Sequence, residues 1–181
     1  WSTFWLVDPL DGTKEFIKKN GEFSVNIALI QNGIPIFGVV FAPILNTLWY
    51  GAKGIGSFKI NSNNKKTINK VCSFSKDDSI IVVASRSHIS DALKVYLEKI
   101  RKHQLIQMGS SIKMCLVADG SAHIYPRLGP TMEWDTGAAH AVVLYAGGDI
   151  CDIKSNQTLK YNKPDLLNPG FIVSHQGMGS L

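Results

Sequence analysis

Two aspartates close in sequence, Asp8 and Asp11, sit in the run Asp8-Pro9-Leu10-Asp11-Gly12-Thr13. Pro9 fixes its own φ and biases Asp8 away from the α region. The chain turns here, and a turn can bring both carboxylates round one point, with the Leu10 carbonyl between them. Such a ligand set is all oxygen and suits Mg²⁺ better than zinc. Gly12 lets the backbone approach a ligand closely. The amides of Gly12 and Thr13, at a helix N-terminus, would stabilise an anion. The same hexapeptide reads equally well as a helix N-cap turn, with Asp11 as the cap. A second acidic residue cluster occupies residues 129–141, Gly-Pro-Thr-Met-Glu-Trp-Asp-Thr-Gly-Ala-Ala-His-Ala. It puts Asp135 at the start of a small-residue helix, again with an N-cap as the plainer reading. Joined to Asp8 and Asp11, a third carboxylate would suffice to hold two divalent ions. Two ions roughly 4 Å apart clamp the attacking and leaving oxygens of a phosphate ester.

The elements around these residues follow from periodicity. Residues 4–7 are a short apolar run and predict a buried strand leading into the first motif. A short helix is expected over 13–19. Strands are expected over 24–31 and 36–42 with a turn at Asn32-Gly33, then over 47–50 and 57–60 around Gly54-Ile55-Gly56. The second half alternates: a strand over 80–84, helices over 90–101 and 110–118, and a strand over 122–125. A third helix over 134–146 is ended by Gly147-Gly148, and late strands cover 150–153 and 171–174. An antiparallel sheet followed by strand–helix alternation predicts an α/β (α+β layered) fold in two lobes, 1–75 and 76–181. The small residues after Asp135 predict close packing of that helix on a sheet or another helix.

Composition bounds the function classes. With 181 residues, 45% of them hydrophobic, the chain can bury a core. No apolar run reaches the roughly 20 residues of a membrane span. The net charge of +5 suits an anionic small molecule, a nucleic acid or an acidic membrane surface. Much of the excess lies in residues 59–70, rich in Lys and Asn, which read as a solvated loop or hairpin and a candidate lobe boundary. That run has no interleaved aromatics to stack bases, so no nucleic-acid partner is expected. Cys72, Cys115 and Cys151 lack metal-ligand spacing and read as buried reduced thiols of a cytoplasmic protein.

The first motif, continued by Lys14-Glu15-Phe16-Ile17, resembles the metal-binding signature of the inositol monophosphatase superfamily, and Trp134-Asp135-Thr136 resembles its second signature. Four further segments resemble the 3'(2'),5'-bisphosphate nucleotidase (CysQ-type) branch: Ser85-Arg86-Ser87-His88, Gly109-Ser110-Ser111-Ile112-Lys113, Tyr125-Pro126-Arg127 and Leu167-Asn168-Pro169-Gly170-Phe171. The resemblance implies an αβαβα sandwich. It implies Asp8, Asp11, Asp135 and the Leu10 carbonyl as ligands of two or three Mg²⁺ ions. Gly12 and Thr13 would hold the phosphate, with the Thr13 hydroxyl orienting the attacking water. Ser87, His88, Gly109, Ser110, Lys113 and Arg127 would lie near the nucleotide.

The implied reaction removes the 3'-phosphate of adenosine 3',5'-bisphosphate, in sulfur assimilation, with inhibition by lithium. The implied setting is cytoplasmic, as a monomer or homodimer, and peripheral contact with the inner membrane is compatible with the charge. An inositol monophosphatase-type enzyme and a catalytically impaired remnant are the alternatives. Two departures stand out. The family's metal-binding glutamate lies upstream of the first signature, where this chain has nothing before Trp1, and Glu15 and Glu22 lie downstream. A segment preceding Trp1 is therefore expected to supply it and to cover the first strand. Gly137-Ala138-Ala139 also reorders the family's Ala-Ala-Gly, a change nearly neutral for packing.

Overall fold

The structure, a computed structural model, describes residues 1–75, 78–86, 90–100 and 102–177. Six strands form an antiparallel meander: β1 (Thr3–Asp11), β2 (Ser24–Gln31), β3 (Ile34–Ala42), β4 (Thr47–Ala52), β5 (Gly56–Ile60) and β6 (Lys66–Ile68), in spatial order β1-β2-β3-β4-β5-β6. The β2–β3 turn is Asn32-Gly33, both at positive φ (51° and 76°). That pairing gives the two-residue turn whose twist matches the flanking strands. The Lys/Asn-rich run closes the β5–β6 hairpin, so the hairpin reading of it holds.

One face of this sheet packs on helix α4 (Glu133–Leu144). Their spacing is set by missing side chains. A Cβ on Gly38 would stand 2.2 Å from the Ala138 carbonyl oxygen, and one on Gly51 would stand 2.6 Å from that of Ala141. On the helix, a Cβ at Gly137 would meet Leu6 at 2.8 Å. The expected close packing is thus realised against β1, β3 and β4. Ala138, Ala139, Val142 and Val143 join Ala28, Ile30, Val40 and Trp49 in the main core. Burying a side chain of Val or Ile size contributes roughly 1.5–3 kcal/mol. The opposite face of the sheet shows Trp5, Val7 and Ile27 as exposed apolar residues.

Helix α3 (Ile112–Ala118) packs beside α4. Beyond them, β7 (Ile80–Ser85), α2 (Asp91–Glu98) and β8 (His103–Met108) form a βαβ unit with β7 and β8 parallel. Strands β9 (Tyr125–Arg127), β10 (Gly148–Asp152) and β11 (Phe171–His175) form a small sheet in the order β10-β11-β9. A bridge between Val82 and Ile124 links it to β7. Leu93, Tyr96 and Leu97 of α2 cover β7 in a second core with Ile80, Val82 and Ala84. Ser90 caps α2, its hydroxyl accepting the Leu93 amide at 3.2 Å. The layers run sheet, helices, strands, helix. A helical layer on the outer face of the six-stranded sheet has no counterpart among the described residues.

Several sequence expectations need correction. The first strand does not stop at Val7 but continues through Pro9 to Asp11, because Pro9 lies on an edge strand where its missing N–H costs nothing. Helix α1 (Thr13–Ile17) is shorter than 13–19, and the strand expected over 122–125 is β9, shifted to 125–127. Cys115 is buried as expected, whereas Cys72 and Cys151 are half-buried, and all three are free thiols.

Candidate active site

The site begins with a register error. In β1, Asp8 pairs with Asn26 and Asp11 with Ser24, so one extra residue lies between them on β1. In a regular strand, positions of odd spacing point to opposite faces. The bulge cancels that alternation and turns both carboxylates to one side. Asp135 arrives from the first turn of α4. The ligand atoms of Asp8, Asp11 and Asp135 all lie within 4.8 Å of one another.

Each carboxylate is held. Asp8 Oδ1 accepts the Leu10 amide at 3.0 Å. Asp11 Oδ2 accepts the Ser111 amide at 2.5 Å, Asn26 Nδ2 at 3.3 Å and Ser24 Oγ at 3.4 Å. Asp135 Oδ2 accepts the Met132 amide at 2.7 Å. These bonds bear on the N-cap reading of the two segments. Asp11 does not cap α1, whose N-cap is Gly12 with no side-chain bond. Asp135 is not the N-cap of α4 either, since Met132 holds that position, but by accepting the Met132 amide it caps the helix from its third residue. Burial pushes the Asp135 carboxyl up to about 6, against the Met132 amide and with the Asp11 and Asp8 charges adding to the rise. Burial raises Asp8 as well, with Asp11 contributing. Two carboxyls that resist ionisation in this way, in a cluster built only of oxygen donors, fit a hard divalent cation.

Asp11 and Asp135 open on a cavity of about 320 Å³. Asp11, Gly12, Thr13 and Asp135 line it together with Gly109, Ser110, Lys113 and Arg127. Gly12 sits at φ 89° with Ser110 against it, a Cβ there being 3.2 Å from Ser110 Cβ. Gly109 leaves no room at all: a Cβ would stand 2.4 Å from the Glu22 carbonyl oxygen. Its amide donates to Glu22 Oε2 at 2.8 Å, and Arg86 grips the same carboxylate at 2.6 Å. Ser110 holds φ 47°, a left-handed conformation costly for a residue with a side chain. Lys113 Nζ donates to the Ser110 carbonyl at 2.6 Å and lies 5.5 Å from the centre of the Tyr125 ring. Burial lowers its ammonium to about 8. Arg127 Nη2 donates to the Pro130 carbonyl at 3.0 Å, and its Nε has no protein partner.

Of the sequence candidates, Asp8, Asp11 and Asp135 converge. Leu10 lies on the bulge between the first two, and Gly12, Thr13, Gly109, Ser110, Lys113 and Arg127 share the cavity. Ser87 and His88 lie outside the described residues. Sequence reasoning missed Ser24, Asn26 and Ser111 as the holders of Asp11, and Glu22 with Arg86 as the brace of Gly109. Ser24 and Asn26 are polar residues at inward positions of a strand, which is the signal that marks them. Thr131 and Thr136 also line the cavity.

Comparison with known proteins bears on this arrangement. Residues 1–180 match the model of the inositol monophosphatase family. The 3'(2'),5'-bisphosphate nucleotidase CysQ of Salmonella typhimurium is 47% identical over 181 residues, covering 96% of this chain and 69% of the relative. That of Buchnera aphidicola is also 47% identical, covering 96% of this chain and 65% of the relative. Among solved structures, CysQ from Bacteroides thetaiotaomicron superposes with a TM-score of 0.90 at 44% identity, over 97% of this chain and 71% of that one. An inositol monophosphatase from Anabaena superposes at 0.78 with 25% identity, over 99% and 68%. A converging carboxylate trio, its strand-and-helix frame and a match along the whole described chain lead to one assignment: this chain belongs to the inositol monophosphatase family.

Proposed function

We propose that the chain is a Mg²⁺-dependent phosphatase that hydrolyses the 3'-phosphate of adenosine 3',5'-bisphosphate to AMP and phosphate. The observation that carries this reading is the carboxylate trio, within 4.8 Å, two of whose members line a cavity together with Lys113 and Arg127. A monophosphate needs one anion site, and a bisphosphate needs cationic partners away from the metals. The 47% identity to bisphosphate nucleotidases favours the nucleotide over inositol phosphate as substrate.

In this reading Asp8, Asp11, Asp135 and the Leu10 carbonyl hold two or three Mg²⁺ ions. When bound, such ions neutralise phosphate charge and supply hydroxide-like water near neutral pH. The chain's own residues do the rest. Gly12 and Thr13 would hold the scissile phosphate, and the Thr13 hydroxyl would orient the attacking water. Water oxygen bonds to phosphorus as the bond to the ribose 3'-oxygen breaks, and that oxygen leaves with a proton. Lys113 and Arg127 hold the second phosphate, and Gly109 and Ser110 shape the wall between them. The three free thiols fit a reducing cytoplasm. No helix among the described residues is long and apolar enough to cross a membrane.

The test compares release of phosphate from adenosine 3',5'-bisphosphate and from inositol 1-phosphate, with and without Mg²⁺, for the chain and for Asp135→Asn. Nucleotide turnover that needs both Mg²⁺ and Asp135 is expected. Faster turnover of inositol phosphate sinks the nucleotidase reading, and hydrolysis that survives chelation sinks the metal reading.

A further inference from the structure

Helix α4 buries one histidine completely. His140 is 0% exposed, and both ring nitrogens face partners. Nδ1 lies 2.8 Å from the Tyr161 hydroxyl, and Nε2 lies 3.2 Å from Asp149 Oδ1. The Tyr161 hydroxyl lies 3.3 Å from Thr136 Oγ1. Thr136 follows Asp135 directly and lines the cavity, whereas His140, Tyr161 and Asp149 do not. A line of polar contacts therefore runs from β10 through the interior to the wall of the site.

Counting hydrogens gives this line a direction. A threonine hydroxyl has one hydrogen to donate and two lone pairs to accept with. The Thr136 hydrogen goes to the Glu133 carbonyl at 3.2 Å, and one lone pair accepts Asn168 Nδ2 at 3.1 Å. The Tyr161 hydroxyl donates to the oxygen from the other side, at 3.3 Å. Tyr161 then has no hydrogen for His140, so Nδ1 must donate to the tyrosine oxygen. At the other end Asp149 is an acceptor. Burial pushes its carboxyl up, but His140, Thr158 and the Ile150 amide outweigh burial and leave it below its ordinary value. Thr158 Oγ1 stands 2.6 Å from Oδ2, and the Ile150 amide 2.7 Å from Oδ1. Both ring nitrogens of His140 therefore face an oxygen, that of Tyr161 on one side and that of Asp149 on the other.

We infer that His140 is a positioning residue for the acidic trio: clamped by Asp149, it turns the Tyr161 hydroxyl onto Thr136 and so fixes the first turn of α4, where Asp135 stands. Asn168 completes the fixture by donating to Thr136 and to the Met132 carbonyl at 2.9 Å, and the Met132 amide is the one that Asp135 accepts. This inference rests on the reading of Asp135 as a metal ligand.

Two substitutions separate the ring nitrogens. The amide of asparagine falls near the place of Nδ1, and that of glutamine near the place of Nε2. His140→Asn keeps the donor to Tyr161, His140→Gln keeps only the donor to Asp149, and Tyr161→Phe removes the hydroxyl while leaving the ring. Two readouts are taken on the whole chain: Mn²⁺ binding by electron paramagnetic resonance, and metal-free hydrogen exchange of the Met132 amide. Loss of an outer-shell partner typically weakens metal binding by roughly 10–100-fold. Tyr161→Phe and His140→Gln are expected at the lower end of that range, with Met132 exchange several-fold faster. His140→Asn is expected near the unsubstituted chain on both readouts. Equal losses in the two histidine variants, or no change in either readout for Tyr161→Phe, overturn the inference. If both histidine variants fail to fold, Tyr161→Phe decides alone. If the unsubstituted chain binds no Mn²⁺, the metal reading fails, and Met132 exchange still judges the relay.

Discussion

Replacing Asp135 with asparagine should make the metal-free chain more stable, although it should remove the metal site. The Asp135 carboxyl rises from an ordinary value of 3.8 to about 6 in the folded chain. A folded value above the unfolded one means that the folded state binds the proton more tightly. Folding is therefore not penalised below pH 3.8, loses stability as pH climbs from 3.8 to 6, and carries the full cost above that. At about 1.4 kcal/mol per pKa unit the ceiling is about 3 kcal/mol, and solvent screening of this half-buried carboxylate brings the expectation to about 1–2 kcal/mol. Asparagine removes the charge and keeps an oxygen for the Met132 amide, so the helix start is preserved. Urea unfolding in chelator at pH 7.5 should show Asp135→Asn ahead by that margin, with the gap closing by pH 4. Adding Mg²⁺ should reverse the order, because a ligand at a hundred times its Kd stabilises the folded state by about 2.7 kcal/mol. A variant no more stable than the parent in chelator at pH 7.5, or a gap that persists at pH 4, refutes the electrostatic account of the trio.

Lys113→Met should weaken binding of adenosine 3',5'-bisphosphate by roughly 10–100-fold, the usual worth of a hydrogen bond from a charged group. Because burial lowers the Lys113 ammonium to about 8, the parent's affinity should fall as pH rises through that value. Equilibrium dialysis between pH 7 and 9.5 should show this limb in the parent and none in the variant. Gly38→Ala should destabilise the chain by roughly 1–3 kcal/mol or more, since its Cβ would collide with the Ala138 carbonyl at 2.2 Å and push α4 off the sheet. A thermal melt within a degree of the parent would show that the helix yields freely.

What could be read from the sequence was what depended on neighbours along the chain. The Asn32-Gly33 turn, the small-residue face of α4 and the acidic hexapeptide all carry their physics within a few residues. The bulge did not, because Pro9 breaks the apolar pattern, and only the pairing with β2 shows that the strand continues. Strand β8 was missed for a related reason. His103, Gln104 and Gln107 interrupt its apolar residues, and its parallel partner β7 lies across a helix. The Asp11 holders Ser24, Asn26 and Ser111 become neighbours only once α3 docks against the sheet. Asp135 is legible as a candidate from its own segment as well as by resemblance, but its distance from Asp8 and Asp11 is a product of tertiary packing, set by glycines on β3 and β4.

The two margins of the six-stranded sheet share a property. A strand with free N–H and C=O groups is a template on which another chain can grow. At one margin, Pro9 offers no N–H, the bulge bends the strand, and Asp8 and Asp11 place negative charge there, so only the stretch before Asp8 stays regular. At the other, β6 is three residues long and begins at Lys66. The acidic turn that gathers the carboxylates therefore also limits sheet-to-sheet growth. Straightening it, by replacing Pro9 with a β-branched residue, would lengthen a sticky margin as well as scatter the ligands, and the first symptom would be turbidity in concentrated solution.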